Sequence, residues 1–478
     1  MSRTQCPRDD RPREECGVVA ALVPGMSVTP FLVDGLHALQ HRGQEAAGVA
    51  VSDGTQMMVV KDLGLVSDAL GPLAVGALHG STGIGHVRYS TAGDGSWENA
   101  QPCFRSSGSV EFAVAHNGNV INVRRRKIRV GSGVISLSDT DAIAEGIAAE
   151  LRFSGTDFET AVAATVTRLE GAFSLVVSDH TRIIGVRDPN GFRPLCLGRL
   201  HGGWVLASET AALDAIGAEF EREVDAGEMV IIDSGGHPRS VWPYPESRVS
   251  PKMCVLEFVY LSRSDSYMYG ASVNSSRLRM GAALAQKDTV DADVVIGVPE
   301  SGLSVAEGYS RASGIPLSNG LVKNRYAGRS FIIPNQGDRD KAVRRKINVI
   351  RDQVFGKRVV VTDDSIVRGT VTRNLARMLR DAGATEVHFR ISLPPVKWPC
   401  FYGVDIGSTE ELLAVGKTLD QMREAIEADS LEFLTVAELQ QAIGTRGGDT
   451  CTACLTGEYP TAQPTIWADE PQEDVCST

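Results

Sequence analysis

The chain has 478 residues, with 48 Lys and Arg against 59 Asp and Glu for a formal net charge of −11. That length accommodates two or three domains, each with its own core, and two is the economical reading. The acidic balance argues against a nucleic-acid binder, which needs clustered Lys and Arg; no apolar run approaches a membrane span; and nine cysteines are too few for a disulfide scaffold.

Residues 1–15 are polar and charged, with nothing to bury and none of the apolar stretch of a signal peptide. They are expected to form a disordered or removable leader on a cytoplasmic protein. Cys16-Gly-Val-Val-Ala-Ala-Leu then begins a strand. A lone cysteine there is ordinarily packing, but four further blocks follow: His41-Arg-Gly-Gln-Glu-Ala-Ala-Gly48, Gly85-His-Val-Arg-Tyr-Ser-Thr91, Ala115-His-Asn-Gly-Asn119 and Ser138-Asp-Thr-Asp141. In this order the set resembles the glutamine amidotransferase domain of the N-terminal nucleophile hydrolases. Breaking an unactivated amide needs a nucleophile, a proton carrier and donors for the tetrahedral oxyanion. A cut between Glu15 and Cys16 would free an α-amino group, of ordinary pKa near ~8, beside the thiol to act as base.

The resemblance implies Cys16 as nucleophile, Asn117 and Gly118 as oxyanion hole, and Arg88 and Asp139 as the groups that grip glutamine's carboxylate and amine. It also implies Arg42, His86 and Thr91 as pocket lining, although His86 and His116 read equally as satisfied structural histidines. The segment between Asn119 and Ser138 is shorter and more basic than is usual in that family, and its Arg124, Arg125, Arg126 and Lys127 read as a solvated face.

Further on, a helix is expected over Phe158–Leu169 and strands over Phe173–Val177, Arg182–Val186, Trp204–Ala207 and Glu228–Asp233. The breakers of Arg187-Asp-Pro-Asn-Gly-Phe-Arg-Pro194 indicate an ordinary turn. A boundary is expected within 234–250, giving a domain of residues 16–248 and a second of residues 249–460.

The second domain opens with a strand at Ala292-Asp-Val-Val-Ile-Gly-Val, a helix from about Leu303 to Ser313 and a strand over Pro316–Val322. A long loop over 328–355 follows, and then the buried strand Val359-Val-Val361. Asp363 and Asp364 stand where that strand ends, before a small-residue loop and a helix marked by Leu375, Met378 and Leu379. Backbone N–H groups at such a helix start bind anions. A bare phosphate cradle would not carry two acids at its mouth, so these accept from sugar hydroxyls or approach a metal, and the ligand implied is a phosphorylated sugar. No G-x-x-x-x-G-K-[ST] and no G-x-G-x-x-G after a strand is present, which counts against a nucleotide triphosphatase or dinucleotide enzyme.

This stretch resembles the 5-phosphoribosyl 1-diphosphate (PRPP) loop of type I phosphoribosyltransferases. The resemblance implies Asp363 and Asp364 on the ribose hydroxyls, and Ser365, Arg368, Gly369 and Thr370 around the 5-phosphate. Lys323 and Arg325 would meet the diphosphate from a mobile loop, and Mg2+ would sit near Ser301, Asp363 and Asp364. The fold class implied is α/β with two domains: an αββα sandwich, then a parallel sheet with binding loops at its carboxyl edge.

Cys254, Cys400 and the Cys451-Thr-Ala-Cys454 pair remain. On chemistry alone such thiolates suit zinc, redox or cluster sites. Their positions and flanks, Pro-Cys-Phe-Tyr-Gly and Cys-Thr-Ala-Cys-Leu-Thr-Gly-Glu-Tyr-Pro, are similar to those of glutamine PRPP amidotransferases that carry a 4Fe–4S cluster. With that family the resemblance spans about residues 16–460, leaving 461–478 as an expected disordered tail. It implies glutamine and PRPP as substrates, 5-phosphoribosylamine as product, purine nucleotides as inhibitors, a homotetramer, and neither nucleic acid nor membrane as partner. Departures from the family pattern are Glu300-Ser-Gly-Leu-Ser304, Thr362 and Val371; they keep open a divergent paralogue of a specialised pathway.

Overall fold

The computed structural model describes residues 16–89, 97–123, 127–130, 133–136, 138–287, 290–324, 347–406, 409–444 and 449–462. The expected leader, Thr91, the basic run 124–126, Arg325 and most of the tail lie outside these residues. Two compact units emerge. One comprises Cys254–Pro399 and Asp405–Gly457; the other comprises the described residues up to Met253, Cys400–Val404, and those from Glu458 on.

The unit that begins at Cys16 is built on two antiparallel sheets. The first has seven strands in the order Glu219–Glu223, Cys196–Leu200, Gly203–Ala207, Gly17–Leu22, Thr82–Arg88, Ala46–Ser52 and Met57–Leu63. The second has six: Arg239–Val241, Met229–Asp233, Arg182–Arg187, Gly171–Ser178, Val110–Val120 and Cys103–Ser107. Side chains alternate between strand faces, and the Gly17–Leu22 strand is apolar on both. Val19 and Ala21 pack toward the helices Thr29–Ala38 and Thr210–Ile216. Val18, Ala20 and Leu22 join Ala113, Ala115, Val176 and Ile183 between the sheets. On the far side, Val114, Leu175 and Val177 meet Ile143 and Ile147 of helix Asp139–Phe153 and Val162 of helix Phe158–Val166. The layers are therefore helix, sheet, sheet, helix. A one-residue slip of the first strand would exchange its two faces, so the packing also fixes where Cys16 stands.

The other unit has a four-stranded parallel sheet in the order Val294–Gly297, Arg358–Asp363, Glu386–Ile391 and Ser430–Phe433. Val359 and Val361 lie in its core with Leu375 and Leu379 of helix Thr370–Asp381. Three expectations are corrected here. The helix expected from Leu303 starts at Ser301, which puts that serine in its first turn. The strand expected over Pro316–Val322 is only a bridge from Leu317 to Val295, followed by the short strand Leu321–Lys323. Pro316 has no N–H for a ladder, and its carbonyl is taken by the Val295 N–H. The end of the expected long loop forms strand Ile347–Val349, paired with Leu321–Lys323, and a helical turn Arg351–Val354. Among the described residues no helix is long and apolar enough to cross a membrane.

Candidate active sites

Cys16 precedes the first strand, whose register pairs Gly17 with Val87. That pairing brings the thiol beside the end of the Thr82–Arg88 strand, where the Tyr89 N–H donates to Sγ at 3.5 Å. The Sγ–H can in turn donate to the Tyr89 carbonyl, also at 3.5 Å. Arg88 ends the same strand, is 6 % exposed, and has Nη1 buried with no hydrogen-bond partner. The His41-Arg-Gly block explains how it is held: a Cβ on Gly43 would lie 2.7 Å from the Arg88 nitrogen, so only glycine lets this turn close on the strand end. Arg42, expected in the pocket wall, is buried and bonded through Nε to Glu209, which His41 Nε2 also meets at 2.6 Å.

Asn117 and Gly118 come from the Val110–Val120 strand of the second sheet. Asn117 is fully buried, and neither its Oδ1 nor its Nδ2 has a partner. Leaving a buried amide unmet costs about 1–3 kcal/mol, a cost natural proteins tolerate where a ligand will supply the partner. Gly118 has φ +141°, and a Cβ there would fall 2.1 Å from the Ala172 carbonyl oxygen. Its backbone can thus turn where no other residue could follow.

Asp139 is the first residue of its helix because Ser138 caps it, accepting from the Asp141 N–H in a reciprocal capping box. The carboxylate accepts from Val120 N–H at 3.3 Å, which ties the helix start to the end of the Asn117 strand. His86 joins the two sheets: its Nε2–H donates to the His116 carbonyl at 3.1 Å. Burial pushes the His86 imidazole down to about 3, against the raising effect of that bond. It is neutral at physiological pH and is no proton carrier; it braces the strand one residue before Asn117.

In the other unit Asp363 and Asp364 are 2 % and 4 % exposed. Asp363 Oδ1 accepts from the Asp364 N–H at 2.9 Å. Asp364 takes hydroxyl donors on both oxygens, Ser365 Oγ at 2.6 Å and Ser301 Oγ. The early start of the Ser301 helix is what makes the second bond possible. The strand end is locked from the other side, where Ser392 and Leu393 N–H groups donate to the Asp363 and Asp364 carbonyls. Gly369, in the left-handed region at φ +81°, caps helix Thr370–Asp381. Arg368 pairs with Glu411 at 2.6 Å, and Lys323 Nζ lies 4.0 Å from Glu300. Thr362, one departure from the family pattern, bonds inward to the Gly302 carbonyl at 2.8 Å.

Cys254, Cys451 and Cys454 are buried. The Val255 N–H donates to the Cys451 carbonyl, and the Lys397 and Trp398 N–H groups donate to the Cys454 carbonyl at 3.0 and 3.1 Å. Cys400 Sγ accepts from the Tyr402 N–H at 3.4 Å. Among the described residues, no three His, Cys, Asp or Glu are grouped so as to hold a metal ion by themselves.

Sequence reasoning missed the turn at 187–194, read as ordinary. It is buried throughout, with Asp188 and Arg193 fully so. The Asp188 carboxylate accepts from the Phe173 and Asn190 N–H groups, while burial pushes its pKa up to about 6. One available signal was the pair of arginines bracketing the breakers, immediately before the apolar Leu195-Cys-Leu197.

A sandwich of this kind, headed by a cysteine, is an N-terminal nucleophile glutamine amidotransferase, and a parallel sheet whose inner strand ends in an acidic pair is a type I phosphoribosyltransferase; this chain carries both. Amidophosphoribosyltransferase of Mycobacterium bovis is 45 % identical over 465 residues, covering 95 % of this chain and 88 % of the relative. That of Bacillus subtilis is 43 % identical, covering 94 % of each. The chain belongs to the amidophosphoribosyltransferase family. A glutamine amidotransferase domain model matches residues 86–215. Among solved structures, glutamine PRPP amidotransferase from B. subtilis complexed with ADP and GMP superposes with a TM-score of 0.85 at 40 % identity, covering 94 % of this chain and all of that one. A structure described as the allosteric regulatory enzyme of purine biosynthesis also gives 0.85, at 41 % identity, covering 94 % of this chain and 96 % of that one.

Proposed function

We infer that the chain moves the amide nitrogen of glutamine to C1 of PRPP, giving glutamate, diphosphate and 5-phosphoribosylamine, the first committed step of purine synthesis. The single observation that carries this is one chain holding both a cysteine thiol with a buried, unpaired Asn117 amide and an acidic-pair loop at a helix start. Cys16 Sγ attacks the side-chain carbonyl of glutamine. The Asn117 amide and Gly118 N–H receive the oxyanion, and the C–N bond breaks as the nitrogen takes a proton to leave as ammonia. Water then hydrolyses the thioester to glutamate. Arg88 and Asp139 are the proposed partners of the glutamine carboxylate and amine. The base is the Cys16 α-amine, provided the chain is cut after Glu15.

In the acceptor half, ammonia attacks C1 as the C–O bond to diphosphate breaks. Asp363 and Asp364 orient the ribose hydroxyls, and Ser365, Arg368, Gly369 and Thr370 surround the 5-phosphate. Lys323 and Arg325 meet the diphosphate. Mg2+ fits the oxygen donors of Ser301, Asp363 and Asp364, because that ion is held by few carboxylates and completes its shell with phosphate and water; when bound it neutralises charge on the leaving group.

Cys254, Cys400, Cys451 and Cys454 are proposed to hold a 4Fe–4S cluster with a tying role, since neither half-reaction transfers electrons. The buried Cys254, Cys451 and Cys454 and the N–H donor on Cys400 Sγ support that donor set, and holding the cluster would require the four thiols to close up, since no three of them are grouped to hold a metal by themselves. Equimolar zinc, in place of iron and sulfide, in protein prepared without air would overturn it. Purine nucleotides as inhibitors, a homotetramer and a cytoplasmic location complete the proposal, the first supported by the ADP and GMP complex of the B. subtilis relative.

The test is to supply glutamine and PRPP to anaerobically purified protein and follow glutamate and diphosphate together. The two products are expected to appear in step; glutamate without PRPP-dependent diphosphate would instead indicate the specialised paralogue.

A further inference from the structure

Cys400–Val404 lies in sequence between the Glu386–Ile391 and Ser430–Phe433 strands of the parallel sheet, yet it packs in the unit that carries the nucleophile. Its contacts converge on the strand bearing Asn117 and Gly118. Asn119 Nδ2 donates to the Phe401 carbonyl at 2.8 Å. Fully buried Arg193 donates from Nη2 to the Tyr402 carbonyl at 2.6 Å. The Tyr402 ring stacks on Phe192, with centroids 4.2 Å apart and planes at 18°. Gly403, at φ +110°, lies so close that a Cβ on it would stand 3.3 Å from the Gly118 carbonyl carbon.

Gly118 is also held through its neighbouring strand. It is paired with Phe173 in the ladder. Phe173 donates its N–H to Asp188 Oδ2 at 3.0 Å and accepts the Asp188 N–H at 2.9 Å. Asp188, Phe192 and Arg193 belong to one buried turn. That turn therefore grips both the strand paired with Gly118 and the 401–403 segment packed against it.

An oxyanion donor works only if it is fixed before the charge develops, and an error of about 1 Å in a catalytic group can cost about a hundredfold. A glycine at φ +141° has no side chain of its own to hold its peptide plane, so the holding has to come from neighbours. We propose that residues 401–403 form a strap which, with Asn119 and Arg193 as positioning residues, sets the orientation of the Asn117–Gly118 oxyanion element. The proposal rests on the oxyanion assignment made above.

The test compares Asn119→Ala, Asn119→Gln and Gly403→Ala in the full-length protein, with Asn117→Ala alongside. Glutamine hydrolysis and ammonia-dependent phosphoribosylamine formation are both measured. For Asn119→Ala and Gly403→Ala the glutaminase kcat is expected to fall about tenfold or more, with KM for glutamine held within about twofold and the ammonia-dependent rate unchanged. Asn119→Gln, which keeps an amide donor, should recover part of the loss. Full glutaminase kcat in Asn119→Ala, or a parallel fall in both activities, overturns the strap. Asn119 is only partly buried, so its variants carry the test even if Gly403→Ala does not fold. If Asn117→Ala is crippled while Asn119→Ala is normal, only the strap fails. If Asn117→Ala itself retains full kcat, the oxyanion assignment fails with it.

Discussion

The two halves prepare for their substrates in opposite ways. At the thiol site the key polar atoms are buried and unmet: both ends of the Asn117 amide and Nη1 of Arg88. At the sugar-phosphate site, groups of opposite character already occupy one another. Asp364 takes hydroxyls from Ser301 and Ser365, Arg368 holds Glu411, and Lys323 stands near Glu300. The substrates explain the contrast. A neutral amide acquires charge only in the transition state, so its donors can wait in place at a modest cost in stability. A diphosphate arrives charged, and the cations that would meet it rest meanwhile beside counter-charges; Arg88, whose proposed ligand is the glutamine carboxylate, is the exception on the thiol side, with Nη1 unmet. Fixed donors suit the first task and exchangeable partners the second.

The largest expected effect separates the halves completely. Cys16→Ala should abolish glutamine use and leave ammonia-dependent synthesis intact; loss of both in folded protein would contradict two separate sites. Next, Asn117→Ala should lower the glutaminase kcat by about 10²–10³ with little change in KM for glutamine, because it removes the proposed oxyanion donor. The mirror experiment is Asp363→Asn with Asp364→Asn. It should reduce glutamine- and ammonia-dependent synthesis equally, by about a hundredfold, if the two acids accept from the ribose hydroxyls as proposed. A loss confined to the glutamine-dependent rate would place those acids elsewhere in the reaction.

The sequence exposes the two sites unequally, for a physical reason. Asp363, Asp364 and the helix after them are contiguous, so a strand, its terminal acids and a helix start are readable from local pattern alone. Cys16, Arg88, Asn117 and Asp139 are scattered, and only the order of their motif blocks links them. What could not be read is whatever depends on burial. The 187–194 breakers announce a turn, but its enclosure follows from strands packing on every side. The bond from Asn119 to Phe401 spans 282 residues. His86 carries no sequence mark separating a ligand from a brace; its register between the Cys16 and Ala46–Ser52 strands decides.

His86 sharpens the contrast through pH. Its folded pKa is lowered from 6.5 to about 3 by burial. The unfolded chain therefore takes up the proton first, and the stability contributed by neutral His86 is fully present above pH ~6.5 and lost as pH falls toward 3. The loss amounts to a few kcal/mol at most over that window. Urea midpoints of the nucleophile-bearing unit should drop between pH 7.5 and 4.5. His86→Gln, whose amide nitrogen reaches about as far as the imidazole Nε2 and can still donate to the His116 carbonyl, should show a shallower drop. Parallel pH curves for the two proteins would remove His86 as the cause.

The smallest effect tests whether the acceptor half really exchanges partners. Lys323 and Glu300 are 4.0 Å apart with side chains 51 % and 72 % exposed, so their attraction is weak and screened by salt. If the diphosphate takes over the lysine, Glu300 is a competitor for it and also repels the incoming anion. Glu300→Gln should then lower KM for PRPP by about twofold at low ionic strength, and the advantage should disappear in roughly 0.5 M salt. The opposite sign is equally informative. A raised KM would mean that the Glu300 carboxylate assists substrate binding, most simply by helping to hold the magnesium that accompanies it, and the acceptor half would then be less exchangeable than its ion pairs suggest.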